Sequence, residues 1–302
     1  MLPKWRFKPA VHEVDAFNPE IALAPWAGHR QFAYDYIVNI RPHVVVELGT
    51  FHGCAFFSFC QAAKDEGLDW TTLHAVDTWL GTKHDTFYGE EVFETFRNLC
   101  SRCYGGLPTR LVRKLFNEAV SDFADGSIDL LHIDGTHTYG AVEEDYANWL
   151  PKMAPEGVVF LHDVFTERHG TTRFWRELTL THPSLLFEHC FGLGLLFPKG
   201  DKLYRHLVDL GLPGLAPFYR RIGELEMAVV QERAAGLART EADVNRLLAE
   251  KDEEQARQRQ AMEDAVREAR AEAAASKQQA EAWWQAAQDA QWKLDQLEGK
   301  GL

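Results

Sequence analysis

The stretch Val44-Val45-Val46-Glu47-Leu48-Gly49-Thr50-Phe51-His52-Gly53 constrains the fold of this chain more than any other. An apolar run rich in β-branched residues reads as a strand. It ends in a turn with two glycines, and a helix-like stretch follows from about Gly53 to Glu66. Gly49 allows a sharp turn and a close approach of backbone to ligand, and Gly53 lets the helix start pack near the strand. Strand, glycine turn and helix N-terminus together hold nucleotide-like cofactors at the carboxyl edge of a parallel sheet. Glu47 narrows the ligand. A carboxylate there attracts cations and repels phosphate, so a compound with sulfonium and ammonium groups fits better than a dinucleotide. Glu47, Gly49, Thr50 and Gly53 are the binding candidates of this turn.

From Arg41 onward strands and helices alternate, which predicts an α/β fold with a parallel sheet. Strands are expected at Val44–Leu48, Thr72–Val76, Thr109–Lys114, Ile128–Ile133, Val158–Leu161, Ser184–His189 and Gly194–Phe197. Intervening helices are expected near 91–99, 117–124, 139–150 and 172–181, with an excursion over 80–107 rich in Gly, His, Phe and Tyr. Before the sheet, residues 1–40 form an N-terminal segment in which Phe32, Tyr36 and Ile40 share one helical face. That segment either covers the sheet or caps the ligand, carrying Trp26 and His29 toward substrate. The expected organisation is a cap segment at 1–40, an α/β domain at 41–200, a connector at 201–219 and a long helix at 220–298.

Several strands end in polar residues, which lines Glu47, Asp77, Asp134, His162 and Asp163 along one rim, where open parallel sheets bind ligands. Asp77 is placed to accept hydrogen bonds from both ribose hydroxyls of an adenosyl ligand. Trp79 and Phe116 are the aromatic residues best placed against an adenine ring, with core packing as the alternative. The richest cluster combines Asp134 and His137 from one strand tip with His162 and Asp163 from the next. Two carboxylates and two imidazoles suit either a divalent metal with open positions or a general base oriented by acids. A neutral His takes a hydroxyl proton near pH 7 more readily than a free carboxylate does. His132 is read as facing away from the rim, and His52, His84 and His169 as loop histidines beside it.

The formal charge of −13 argues against a nucleic-acid partner. Cys54, Cys60, Cys100, Cys103 and Cys190 form no disulfide-like framework, and the lone Cys100-Ser-Arg-Cys103 pair reads as structural thiols. The N-terminus lacks an apolar signal core and no run approaches the ~18 apolar residues of a membrane span, so a cytoplasmic protein is expected. From Tyr219 to Leu297 the composition shifts to Ala, Glu, Gln, Arg and Lys. Ile222, Val229, Leu237, Val244 and Leu248 give an imperfect heptad stripe, resumed by Trp283, Ala287 and Leu294. A single helix of that length reaches on the order of 100 Å. Its apolar stripe would stay wet in a monomer, so self-association through a coiled coil is expected.

Residues from about 25 to 198 resemble the class I S-adenosylmethionine-dependent methyltransferases of the bacterial small-molecule and sugar O-methyltransferase type. The resemblance rests jointly on several stretches. They are Pro25-Trp26-Ala27-Gly28-His29-Arg30, Val46-Glu47-Leu48-Gly49-Thr50, Ala75-Val76-Asp77-Thr78-Trp79, Phe87-Tyr88-Gly89-Glu90-Glu91, Ser127 through Tyr139, Phe160-Leu161-His162-Asp163 and Gly192-Leu193-Gly194. It implies a Rossmann-like seven-stranded sheet whose last strand runs antiparallel, with S-adenosylmethionine over the first motif. Related macrolide-sugar enzymes place a metal between the acid ending strand four and an acidic pair ending strand five. By that resemblance Asp134 and Asp163 are metal ligands and His137 is the base. His162 stands where an acid would complete the metal site, and imidazole is a poorer Mg²⁺ ligand than carboxylate. Methyltransferases of bacterial surface polysaccharide systems are similar in carrying coiled-coil extensions.

The expected activity is therefore transfer of a methyl group from S-adenosylmethionine to a hydroxyl of a sugar, glycoconjugate or related small molecule, with or without a divalent metal. Two alternatives are a non-catalytic ligand-binding scaffold on the same fold and a metal-dependent, hydroxylase-like relative. A nicotinamide-binding enzyme fits worse, because Glu47 stands where a pyrophosphate would approach.

Overall fold

A computed structural model describes residues 4–81, 87–167 and 169–237, together with 253, 256, 257 and 260. Within it, residues Met1–Arg233 form one compact unit and Ala234–Leu302 a second. The first unit is built on seven strands: β1 (Val44–Leu48), β2 (Thr72–Val76), β3 (Thr109–Val112), β4 (Ile128–Ile133), β5 (Met153–His162), β6 (Ser184–Phe187) and β7 (Leu193–Leu196). Their order is β3-β2-β1-β4-β5-β7-β6, and β7 runs antiparallel to both neighbours. The α/β prediction and the antiparallel last strand thus appear as observed features. The order reverses between β1 and β4, which places the binding crevice of such a sheet at their carboxyl ends.

The central strands β1, β4 and β5 are buried on both faces over most of their length, as parallel strands flanked by helices are, whereas the edge strands β3 and β6 are only partly covered. Val45, Leu130 and Phe160 face one core, together with α1 (Arg30–Ile40), α2 (Cys54–Asp65) and α3 (Glu90–Tyr104). Val46, Leu48, Leu131, Ile133, Val159 and Leu161 face the other. That second core is closed by α5 (Tyr139–Trp149) and α6 (Gly170–Leu178), after the short α4 (Phe116–Ala119). By the period-two alternation of a strand, Glu47 and His132 share the face of Val45 and Leu130. They are also direct cross-strand partners in the β1–β4 register.

The N-terminal segment divides the two roles offered for it. A 3₁₀ turn at Pro25–His29 puts Trp26 into the wall of the crevice, whereas α1 packs on the sheet through Phe32 and Tyr36 against Phe160. His29 does not reach the crevice. It is fully buried behind it, 4.3 Å from the His189 ring centroid.

Strand β5 begins at Met153, five residues before the expected start. Met153 pairs with Ile128, and a register shift before Val158 absorbs the Pro155-Glu156-Gly157 stretch that reads as a turn. The segment after the sheet is not a bare connector. It forms α7 (Lys202–Asp209), and α8 (Ala216–Leu237) places Tyr219 of its first turn in the core. Tyr219 is 1 % exposed; its hydroxyl donates to Asp35 Oδ2 (2.8 Å) and accepts from Trp5 Nε1 (2.5 Å). The proposed long helix and its stripe beyond Leu237 fall outside the described residues, apart from four positions. No helix among the described residues is long and apolar enough to cross a membrane.

Candidate active site

A cavity of about 670 Å³ opens at the carboxyl ends of β1, β2, β4 and β5. Its floor is set by contacts between strand tips. Gly49 N–H donates to Val76 O (3.0 Å), and Asp134 N–H donates to Leu48 O (2.9 Å). Gly49 has φ +88°, and a Cβ on it would lie 2.1 Å from the Asp134 carbonyl oxygen. Only glycine fits this close crossing of β1 and β4. Gly53, at φ +86° and capping α2, does not line the cavity; Phe57 and Phe96 pack where its side chain would be. Its part is to seat the helix.

Glu47 projects into the cavity wall and is 2 % exposed. Its Oε1 lies 2.9 Å from His132 Nδ1, and Trp26 Nε1–H donates to His132 Nε2 at 3.1 Å. Because the indole is only a donor, His132 Nε2 must accept, so the imidazole carries its proton on Nδ1 and gives it to Glu47. His132 does not line the cavity, in keeping with its reading as facing away from the rim, but this chain of bonds gives it a role behind Glu47 that the sequence does not assign. Glu47 Oε2 and the Thr50 hydroxyl are buried as close neighbours, and neither meets a partner at full hydrogen-bond geometry. Burial raises the Glu47 carboxyl above its ordinary range, with the His132 hydrogen bond opposing. An orphaned carboxylate oxygen in a cavity wall is a receptor for a cationic N–H group.

Asp77 sits at the β2 tip and accepts Phe51 N–H (2.9 Å) on Oδ2 and Trp79 N–H (2.8 Å) on Oδ1. A carboxylate has about four acceptor sites, so both oxygens retain capacity toward the cavity. Of the two roles open to Trp79, adenine contact and core packing, the structure shows the second: it is fully buried on Phe93 and Phe96 and is not in the cavity wall. Its φ of +53° turns it inward, and its indole N–H donates to Phe51 O (2.9 Å). It braces the glycine turn rather than touching a ligand. Phe116 does line the cavity; a Cβ on Gly135 would come within 2.6 Å of its ring. Asp145 lies on the same wall, its carboxyl raised to about 7 by burial and by Glu144, a feature without a sequence signal.

Asp134, His137, His162 and Asp163 converge as expected, and His169 joins them. His137 Nε2 is 2.8 Å from Asp163 Oδ2 and 3.5 Å from Asp134 Oδ1. His162 Nδ1 is 3.3 Å from Asp134 Oδ1 and 3.5 Å from Asp163 Oδ2. His169, read as a loop histidine, stacks on His137 at 4.6 Å with Nδ1 3.5 Å from Asp163 Oδ2. Gly170 N–H donates to His137 O (2.8 Å), and a Cβ on Gly170 would strike Tyr139 N, so the two loops touch closely here. His52 also lines the cavity, and burial lowers its pKa; His84 lies outside the described residues.

Charge in the cluster is governed by the carboxylates. Burial opposes ionisation of Asp134, but the His162 charge and hydrogen bonds from His137 and His162 hold its carboxyl well below the usual range. Asp163 is held at about 2 by the same two histidines, again against burial. For His137 and His162 burial lowers the pKa, and the two aspartates overcome it and raise each to about 10. His137 therefore carries a proton near pH 7 while both carboxylates are uncompensated, which corrects its reading as a ready neutral base.

Residues 46–164 match the family model described as a methyltransferase domain. The uncharacterised protein y4gI of Sinorhizobium fredii is 40% identical over 212 residues, 70% of this chain; the chain spans 22% of that protein's length. A methyltransferase of Geobacter sulfurreducens is similar in structure at 15% identity, covering 64% of this chain and 92% of its own, with a TM-score of 0.48. The O-methyltransferase TomG of Streptomyces achromogenes, solved with SAM, is similar at 14% identity over 62% of this chain and 90% of its own, with a TM-score of 0.46.

Proposed function

We propose that this chain is an S-adenosylmethionine-dependent O-methyltransferase acting on a hydroxyl of a sugar, glycoconjugate or related small molecule, and that it self-associates through the stripe beyond residue 222. One observation carries the catalytic reading: a single cavity is lined by Glu47, Gly49 and Asp77 on one side and by Asp134, His137, His162 and Asp163 on the other. The methyltransferase-domain match over both halves supports it. The residues fit the donor on their own chemistry. The orphaned Glu47 oxygen suits an ammonium group, Asp77 suits ribose hydroxyls, and Phe116 offers an apolar face to a purine.

Bound S-adenosylmethionine supplies an electrophilic methyl group on a sulfonium. The chain's own work is to hold an acceptor oxygen about 3 Å from that carbon and in line with it, and to take the hydroxyl proton as the bond forms. His137 is the residue assigned to the proton, with Asp134 and Asp163 orienting it. Its proton-accepting form is the neutral one, and any cation brought against the two carboxylates moves it toward that form. Asp134, His162 and Asp163 could hold such a cation.

Isothermal calorimetry with S-adenosylmethionine, followed by labelled methyl transfer to a panel of hydroxylated sugars, tests the proposal. Saturable donor binding with label in an alkali-stable methyl ether is expected. A folded chain with no donor affinity would falsify it.

A further inference from the structure

The three side chains Asp134, His162 and Asp163 are a poor fit to magnesium and a good fit to a different class of ion. Magnesium takes near-octahedral oxygen ligands and keeps several waters. Here one of three protein positions is an imidazole nitrogen, His162 Nδ1, and it is buried at 4 % exposure. Its other nitrogen is already committed: Nε2 lies 3.0 Å from Cys190 O, and a carbonyl can only accept, so Nε2 carries the proton. Nδ1 faces Asp134 Oδ1 and Asp163 Oδ2, and an ion seated between those oxygens would displace its proton and take its lone pair. A backbone carbonyl fixing the tautomer of an imidazole is how metal-ligating histidines are oriented.

The spacings suit an ion. The Nδ1 nitrogen is 3.3 and 3.5 Å from the two carboxylate oxygens, and all three ligand atoms lie within 4.8 Å of one another. Ligands bonded at 2.0–2.2 Å to one ion sit roughly 3–3.5 Å apart. A second observation points the same way. Asp163 Oδ1 is buried without a hydrogen-bond partner among the described residues. That oxygen leaves the Asp163 carboxylate with acceptor capacity beyond its histidine contacts through Oδ2.

We propose that Asp134, His162 and Asp163 bind an imidazole-accepting divalent transition-metal ion such as zinc, cobalt or nickel, in preference to magnesium. Imidazole suits these ions, whereas all-oxygen sites suit magnesium. What the ion would do, compensating the carboxylates beside the acceptor hydroxyl, rests on the methyl-transfer reading; that it binds does not.

The test uses the full chain, stripped with chelator and titrated with Co²⁺ and, separately, Mg²⁺, by calorimetry and visible absorption. We expect Co²⁺ to bind at least about a hundredfold tighter than Mg²⁺ and to give the d–d absorption of a nitrogen-ligated ion. H162A should weaken Co²⁺ by roughly 10–100-fold, as loss of a ligand or its support does. H162D should narrow or reverse the preference between the ions, and H169A should change Co²⁺ affinity little. Equal or tighter Mg²⁺ binding in the unmutated chain overturns the proposal, and that comparison needs no variant to fold. So does Co²⁺ binding unchanged in H162A, or lost in H169A and kept in H162A. Donor titration in parallel separates the two readings. Donor binding without Co²⁺ binding removes only this inference; Co²⁺ binding without donor binding removes only the methyl-transfer reading.

Discussion

Glu47 has two oxygens in different circumstances, and the difference makes it testable. Oε1 is held by His132, and Oε2 is buried without a partner. Glu47→Gln keeps the shape and the bond to His132 while removing the charge. If Oε2 receives the donor's ammonium, the loss of one charge-assisted bond, roughly 1.5–3 kcal/mol, should weaken S-adenosylmethionine by one to two orders of magnitude. Calorimetry showing equal affinity in the two proteins would remove Glu47 from the donor site. Asp77→Ala carries a compound effect, because its carboxylate accepts two backbone N–H groups of the turn as well as facing the cavity. Its expected signature is weaker donor binding together with a lower melting temperature; a change in melting alone would make Asp77 a turn brace only. The role of His132 could not be read along the chain. Its partner is 85 positions away, and only the β1–β4 register sets the two side by side.

At the scale of elements, legibility followed how completely a segment's burial could be inferred from its own residues. Strands β1, β2 and β4 have the expected bounds because each is a short apolar run ended by polar or turn residues. Strand β5 is longer than its local sequence predicts, because Pro155 and Gly157 signal a turn whereas the pairing of Met153 with Ile128 carries the strand through them. The contact between α1 and α8 had no local signal at all. It also predicts a pH effect. Burial raises the Asp35 carboxyl from 3.8 to about 6, with hydrogen bonds from Lys8 N–H and Tyr219 opposing. The folded chain thus holds this proton more tightly than the unfolded one. Stability from this group is greatest below about pH 3.8, falls as pH rises toward about 6, and is then constant. Asp35→Asn removes the titration but keeps an acceptor for Lys8 N–H. Urea midpoints from pH 4 to 7 should show the mutant's advantage over the unmutated chain growing with pH to about 6. A constant difference across that range would contradict the assignment.

For the whole molecule, the position of Tyr219 changes where the first compact unit ends. A boundary near Pro217, where the composition shifts, cuts inside a helix whose first turn carries the core residue Tyr219. The compact unit instead runs to Arg233. A chain ending at residue 217 loses a buried aromatic side chain and leaves Asp35 Oδ2 and Trp5 Nε1 without their partner. Removing a large aromatic from a core costs about 3–5 kcal/mol, a large share of the stability of a typical domain. A chain ending at residue 237 keeps all of these contacts. It should therefore melt close to the full-length protein and bind the donor equally, whereas the shorter chain should melt well below both. The same pair isolates the proposed self-association. The stripe continues through Val244, Leu248, Trp283 and Leu294 with many alanines between, and small side chains bury little area per layer. A modest, concentration-dependent association is expected of the full chain and not of the chain ending at 237. Light scattering over a concentration series decides it: identical masses for the two, once corrected for length, would leave the C-terminal segment without a role in assembly.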